Sequence, residues 1–220
     1  MTSSGDDSQF TSLRQRMVDA QLRARGVKDE RVLAAMARVQ RHEFAPEPYR
    51  DQAYEDHPLP IGEGQTISQP YIVALMLEAL ALVAADRVLE VGTGSGYVTA
   101  LLAALVAQVF SVERHAVLAD SAATLLARMG YSNVRVMVGD GSQGCAAGAP
   151  YHAIIVSAAA SEVPSALLAQ LAEGGRMILP VGTADSQQLQ LIRMENGQPR
   201  VALRELCRFV PLVSGGRPGC

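Results

Sequence analysis

The stretch Val88-Leu89-Glu90-Val91-Gly92-Thr93-Gly94-Ser95-Gly96-Tyr97 decides the fold of this chain. It reads as a short β-branched strand running into a glycine turn that opens a helix, the arrangement in which bare backbone can approach a nucleotide-like ligand. A dinucleotide fingerprint wants its last Gly or Ala where Tyr97 stands, and no Gly-Lys-Ser or Gly-Lys-Thr follows, so neither that fingerprint nor a P-loop fits. What remains is an acid, Glu90, followed by GxGxG.

The pattern outward from this turn alternates. Tyr71 to Val83 and Val98 to Ala107 read as helices on either side of the strand Arg87 to Val91. Val109 to Val112, Val134 to Val138, Ala153 to Val156 and Arg176 to Val181 read as further strands, with helices over Ala116 to Met129 and Pro164 to Leu171. Short apolar strands in β, α, β rhythm predict an α/β, doubly wound, mostly parallel sheet. Gln188 to Met194 and Val201 to Pro211 read as two last strands turned by Asn196-Gly197. Upstream, apolar positions at helical spacing from Phe10 to Val39, broken at Gly26, predict an N-terminal helical extension. Arg41 to Gln69 carries Pro46, Pro48, Pro58 and Pro60 with Gly62 and Gly64, and is expected to be a long ordered loop with a job to do.

Acids mark the ligand. Glu113 ends the strand after the glycine turn, 21 residues beyond Gly92, where a carboxylate can accept both ribose hydroxyl protons. Asp140, in Gly139-Asp140-Gly141, ends the next strand. Three acids at the carboxyl ends of successive strands suit a cationic nucleoside better than a pyrophosphate. The pattern points to S-adenosylmethionine, held by Glu90, Gly92, Thr93, Gly94, Ser95, Gly96, Glu113, Asp140 and Gly141.

Composition narrows the classes. The chain has 220 residues, 49% of them hydrophobic, and a net charge of −3, which suits one soluble domain with a sizeable core. No basic stripe is present, so a nucleic-acid partner is not expected. The longest apolar run, Tyr71 to Ala85, is interrupted by Glu78 and is short for a bilayer span, so no membrane partner is expected. Cys145, Cys207 and Cys220 form no CxxC pair and His42, His57, His115 and His152 no HxxH or HExxH, so no disulfide framework and no metal site is expected. The histidines are expected mostly on the surface or in loops, and Cys145 and Cys207 as packing residues. Few cysteines and a polar, acidic start in place of a signal peptide suit a cytoplasmic setting.

LPIGEGQTISQPYIVA (Leu59 to Ala74), VLEVGTGSGY (Val88 to Tyr97), VFSVE (Val109 to Glu113), VMVGDG (Val136 to Gly141), AIIVSAA (Ala153 to Ala159), LPVG (Leu179 to Gly182) and RFVPL (Arg208 to Leu212) together resemble the protein-L-isoaspartate O-methyltransferases. The resemblance runs from about Arg16 to Val213 and implies a Rossmann-like class I methyltransferase fold. It also implies a cytoplasmic protein repair enzyme whose partners are isoaspartyl-containing proteins and peptides. Such enzymes use S-adenosylmethionine to methylate the misplaced α-carboxylate, after which the ester collapses unaided through a succinimide. By resemblance Ser68 is the active-site serine. Gln65, Thr66 and Ile67 lie between substrate and methyl donor, and Thr66, Arg208 and Val210 join Ser68 in holding substrate; for Arg208 the sequence leaves open pairing with a core acid instead. The chain then divides into a disordered tail (1–9), a single domain (10–213) and a flexible tail (214–220). Within the domain, 10–69 carries the helices and substrate loop, 70–185 the cofactor-binding core and 186–213 the last strands. The family pattern is broken where His152 replaces Asp, Ser142 replaces Trp and Ala160 replaces Pro.

A carboxylate is ionised at neutral pH, so methyl transfer to it needs placement and no base. Ser68 and nearby loop amides at the start of the helix from Tyr71 are expected to hold that carboxylate. Otherwise Ser68 is only a helix cap. Two other readings remain open from the residues: a methyltransferase of another acceptor, such as a small molecule, and a non-catalytic cofactor-binding homologue.

Overall fold

The computed structural model describes residues 4–183 and 185–215. Helix α1 (Ser4–Arg16) starts inside the stretch expected to be disordered and runs straight into a π-helical turn, Met17–Leu22. Gly26, at φ 97°, ends this run where a side chain would be strained. Helix α2 (Glu30–Arg38) is capped by Asp29, whose carboxylate accepts from Arg31 N at 2.8 Å and Val32 N at 3.4 Å. Two 3₁₀ turns follow, Arg41–Phe44 and Glu47–Gln52. The remainder of the expected loop holds a small antiparallel hairpin, β1 (Leu59–Gly62) and β2 (Gln65–Ile67).

Then comes the doubly wound core: α3 (Pro70–Leu80), β3 (Arg87–Val91), α4 (Tyr97–Leu105), β4 (Gln108–Glu113), α5 (Ala116–Arg128), β5 (Val134–Val138), β6 (Tyr151–Val156), α6 (Ser165–Leu168), β7 (Leu171–Gly182), β8 (Gln187–Glu195) and β9 (Gln198–Cys207). The sheet order is β5-β4-β3-β6-β7-β8-β9, parallel from β5 to β7 and antiparallel thereafter. Glu195 pairs with Gln198 around Asn196 and Gly197, both at positive φ, the turn that matches strand twist.

Side chains alternate across the strands and feed two cores. Val88, Val109, Ala153, Ile155 and Ile178 face the cluster built with α2, α3 and α4. Leu89, Val91, Ile154, Val156, Met177 and Leu179 face the other cluster, covered by Leu167 of α6 and by Cys145. Cys145, expected only to pack, is disulfide-bonded, whereas Cys207 is a free thiol. Glu78 of α3 ties the layers by accepting from Lys28 N at 2.6 Å and Asp29 N at 2.7 Å.

Three expectations change here. The helix expected over Pro164 to Leu171 is only the four residues of α6, because the chain enters β7 at Leu171 and kinks through Gly174 before regaining register at Arg176. The last strand closes at Cys207, so Arg208 to Pro211 leave the sheet. His42, expected at the surface, is buried, stacks on Phe10 at 4.1 Å and bonds Tyr54 Oη at 2.7 Å. Beside it Arg41 is also fully buried. Its Nε donates to Ala53 O at 2.7 Å and its guanidinium lies over Tyr97, 4.8 Å from the ring centroid. Nη1 and Nη2 of Arg41 have no hydrogen-bond partner among the described residues.

Candidate active site

The order β4-β3-β6 reverses direction between β3 and β6, and the crevice outside the carboxyl ends of such strands is where open α/β sheets bind ligands. There, β3 delivers Gly92, Thr93, Gly94 and Ser95, β4 delivers Glu113, and β6 delivers Ser157 and Ala158. They line a cavity with about 830 Å³ of empty space, its open mouth included. Gly94 sits at φ 54°, and a Cβ there would come within 3.2 Å of Ile61 Cδ1. Gly96, at φ 89°, packs so tightly on α5 that its Cβ would lie 3.2 Å from Leu126 Cδ1; it shapes the turn without lining the cavity. A Cβ on Gly141 would lie 2.4 Å from Val91 Cγ1.

The three acids separate into three environments. Glu113 lies in the cavity wall, its Oε2 accepting from Gly94 N and its Oε1 from His115 N, both at 2.9 Å. Each oxygen keeps a further lone pair for a ligand hydroxyl. Asp140 is buried at the cavity's edge beside Gly141. Its Oδ1 accepts from Ser142 N at 2.9 Å and Ser142 Oγ at 2.7 Å, and its Oδ2 accepts from Gly215 N at 2.8 Å. Glu90 corrects the expectation of direct cofactor contact: strand alternation turns it beneath the turn, fully buried, bonded to Thr99 and Ser111 and outside the cavity lining.

Two segments far apart in sequence roof the cavity. The first is the β1–β2 hairpin and the residues after it, Gln65, Thr66, Ile67 and Ser68. Its tip reaches α5, with Glu63 Oε2 3.4 Å from His115 Nδ1. The second is Val210 to Val213. Ala159 N donates to Val210 O and Leu212 N to Ala159 O, both at 2.7 Å. Gln187 brackets Phe209, donating to its carbonyl at 3.1 Å and accepting from its amide at 2.6 Å. Arg114 Nη1 donates to Val213 O at 2.9 Å.

Thr66, Ser68, Ser157 and Val210 are shared with a second, outer cavity of about 1530 Å³, also lined by Arg25, Tyr71, Leu206 and Arg208. Ser68 lies between β2 and α3, and its hydroxyl has no hydrogen-bond partner among the described residues. The N-cap of α3 is Gln69, not Ser68, and no side chain of its own caps the helix. Asp56 does that work from a distance: Oδ1 accepts from Tyr71 N at 3.2 Å and Oδ2 from Gln69 Nε2 at 2.8 Å, with Arg25 paired to the same carboxylate. The α3 amide expected to hold a substrate anion is therefore already occupied. Arg25 also stacks on Tyr71, 3.5 Å from the ring centroid.

Tyr97, His115, Ser157, Ala158 and Leu212 line the inner cavity without having been expected there. The switch between β3 and β6 was the available signal for Ser157 and Ala158, and the glycine-turn and RFVPL stretches contain Tyr97 and Leu212; nothing local marked His115. The three departures from the family pattern have local uses. Ser142 bonds Asp140, His152 Nδ1 accepts from Arg87 N at 2.9 Å, and Ala160 N donates to Pro180 O at 3.0 Å, a bond that proline could not make.

Residues 12–217 match the family model described as Protein-L-isoaspartate(D-aspartate) O-methyltransferase. A protein-L-isoaspartate O-methyltransferase of Koribacter versatilis is 54% identical over 213 residues, covering 97% of this chain and 96% of the relative. One of Methanoculleus marisnigri is 54% identical over 201 residues, 91% of each chain. Among solved structures, a Plasmodium falciparum chain described as a protein-L-isoaspartate O-methyltransferase, in complex with S-adenosyl-L-homocysteine, superposes with a TM-score of 0.79. It has 28% identity, with 91% of this chain and 98% of that one covered. With its glycine turn, its Glu113 wall and its two-segment roof matched by a family model over nearly its whole length, the chain belongs to the protein-L-isoaspartate(D-aspartate) O-methyltransferase family.

Proposed function

We propose that this S-adenosylmethionine-dependent methyltransferase binds its methyl donor in the inner cavity and the isoaspartyl α-carboxylate at Ser68, on the wall that the two cavities share. The donor set suits that cofactor. Gly92 and Gly94 leave bare backbone on the cavity wall, and Glu113 supplies acceptor-only oxygens suited to ribose hydroxyls. Thr93, Ser95 and Gly141 complete the holding set, with Asp140 at its edge. When bound, S-adenosylmethionine supplies an activated methyl group.

The work left to the protein is placement. The acceptor carboxylate is ionised well below neutral pH, so no side chain has to remove a proton. Ser68 Oγ–H, unused within the fold, donates to that carboxylate and aims its second oxygen inward. Thr66 and Val210 flank it, and Ile67 and Val98 make this part of the wall apolar, which excludes water. Arg208, outside the sheet at the rim of the outer cavity, offers a cation to the peptide, while the charge of Arg25 is engaged by Asp56. Holding two reactants in near-attack geometry supplies on the order of 7 to 11 kcal/mol of barrier lowering.

The observation that carries this reading is the unpartnered Ser68 hydroxyl on a wall common to both cavities. The substrates are then isoaspartyl-containing proteins and peptides, met in the cytoplasm. The test is labelled S-adenosylmethionine with matched peptides holding isoaspartyl or normal aspartyl residues. Base-labile label on the isoaspartyl peptide alone is expected; equal label on both, or none, overturns the reading.

A further inference from the structure

Beneath the glycine turn runs a chain of four oxygen-bearing side chains that ends at the cofactor cavity. Glu90 Oε2 lies 2.6 Å from Thr99 Oγ1 and 2.7 Å from Ser111 Oγ, and Ser111 Oγ lies 2.5 Å from Thr93 Oγ1. Thr93 lines the cavity, whereas Glu90 is fully buried and its Oε1 has no partner among the described residues. Each hydroxyl owns one proton, so an ionised Glu90 fixes the direction of the chain and a neutral one allows it to reverse.

Were Glu90 ionised, Thr99 and Ser111 would both donate to Oε2. Thr93 would then have to donate to Ser111 and would offer the cavity only lone pairs. That arrangement also buries a bare charged oxygen, which is costly without a counter-cation. None is at hand. The register partners of Glu90 are Ser111 on β4 and Ile155 on β6, α4 presents Thr99, and the one charge acting on it is that of Glu113, which repels. With the proton on Oε2 and given to Ser111, Ser111 donates to Thr93, and the Thr93 proton is free to point into the cavity.

We propose that Glu90 works as a neutral carboxylic acid which, through Ser111, makes the Thr93 hydroxyl a hydrogen-bond donor toward an anionic or carbonyl oxygen of the bound cofactor. Glu90 is thus a positioning residue. Burial, with repulsion from Glu113 in the same direction, pushes its carboxyl up to about 8 against the hydrogen bonds from Thr99 and Ser111, so the donor is present at neutral pH and lost above it.

The test is the dissociation constant of S-adenosylhomocysteine, measured calorimetrically from about pH 6.5 to 9.5, with melting temperatures in parallel, for wild type, Glu90→Gln, Ser111→Ala and Thr93→Val. Glutamine keeps the donor at all pH values. Its affinity should match wild type within about threefold at pH 7, and the wild-type to variant ratio should fall above about pH 8; titration of the ligand's own amine cancels in that ratio. Thr93→Val should weaken binding roughly tenfold or more, the scale of a hydrogen bond to a charged group. Ser111→Ala leaves the Thr93 proton without its acceptor in the fold, so its affinity should stay within about threefold of wild type at pH 7 and, relative to Glu90→Gln, should not fall above about pH 8. A pH-independent ratio overturns the proposal, as does tenfold weaker binding by a folded Glu90→Gln. An affinity of Ser111→Ala that still falls above about pH 8 relative to Glu90→Gln also overturns it, since the coupling then does not run through Ser111.

Discussion

Ser68→Ala separates a helix cap from a substrate contact, and the structure sets both magnitudes. The hydroxyl bonds nothing among the described residues, and α3 is capped by Asp56. Truncation should therefore cost no more than about 0.5 kcal/mol of stability, which in a chain of this size moves Tm by less than about 2 °C. Removing Asp56 instead, as Asp56→Ala, deletes the cap and the charge at the helix start, about 1 to 2 kcal/mol or several degrees. The catalytic effect runs the other way. A hydroxyl donating to a carboxylate contributes about 1.5 to 3 kcal/mol, so kcat/KM for an isoaspartyl peptide should fall about 10- to 150-fold in Ser68→Ala. The assay is base-labile label transfer at several peptide concentrations, with scanning calorimetry of both variants. A Ser68→Ala enzyme within about twofold of wild-type kcat/KM, or one that melts more than about 5 °C lower, would refute this assignment.

Gly94→Ala should lower Tm by about 2 to 8 °C, since φ 54° costs a side chain about 1 to 2 kcal/mol, and should weaken cofactor binding because the new methyl group stands between Ile61 and the cavity; unchanged Tm and affinity would refute the tight fit. Arg41→Met should melt at or above the wild-type temperature, because it removes two buried donors that have no partner, whereas Arg41→Ala should melt lower through the void it leaves. A methionine variant more than about 2 kcal/mol less stable in denaturant titration would contradict this. Glu90 holds its proton in the fold up to about 8 but releases it near 4.5 in the unfolded chain. The unfolded state therefore binds fewer protons between those values, and the contribution of Glu90 to stability is lost as pH rises through that window. Melting of wild type relative to Glu90→Gln should decline from about pH 4.5 to 8 and then level off; a flat difference would show that the carboxyl is ionised throughout.

The parallel core was legible because buried parallel strands are short apolar runs between helices. β3 and β5 were found at their observed bounds, and β4 and β6 within a residue or two. Glu113 was legible as well, since its distance from Gly92 is set by one helix and one strand. The β1–β2 hairpin was not, because Pro60 and a three-residue partner strand carry no alternation to read. Arg208 to Pro211 looked like strand because Phe209 and Val210 are strand-formers, yet Gln187 and Ala159 draw this backbone off the sheet through bonds that only the folded chain brings together. Glu90 shows the limit at the site itself: its spacing was right, but which side of β3 it faced depended on alternation against α4.

The inner cavity's roof comes from residues 65–68 and 210–213, two segments about 140 residues apart in the chain. The sheet strands that carry the glycine turn and Glu113 lie between these two segments in the chain, so the cavity closes only where the folded core has brought both of them to the same end of the sheet. Neither half of the roof serves alone: the cofactor turn is enclosed by a contact between distant parts of the chain, so loosening either segment opens the same cavity.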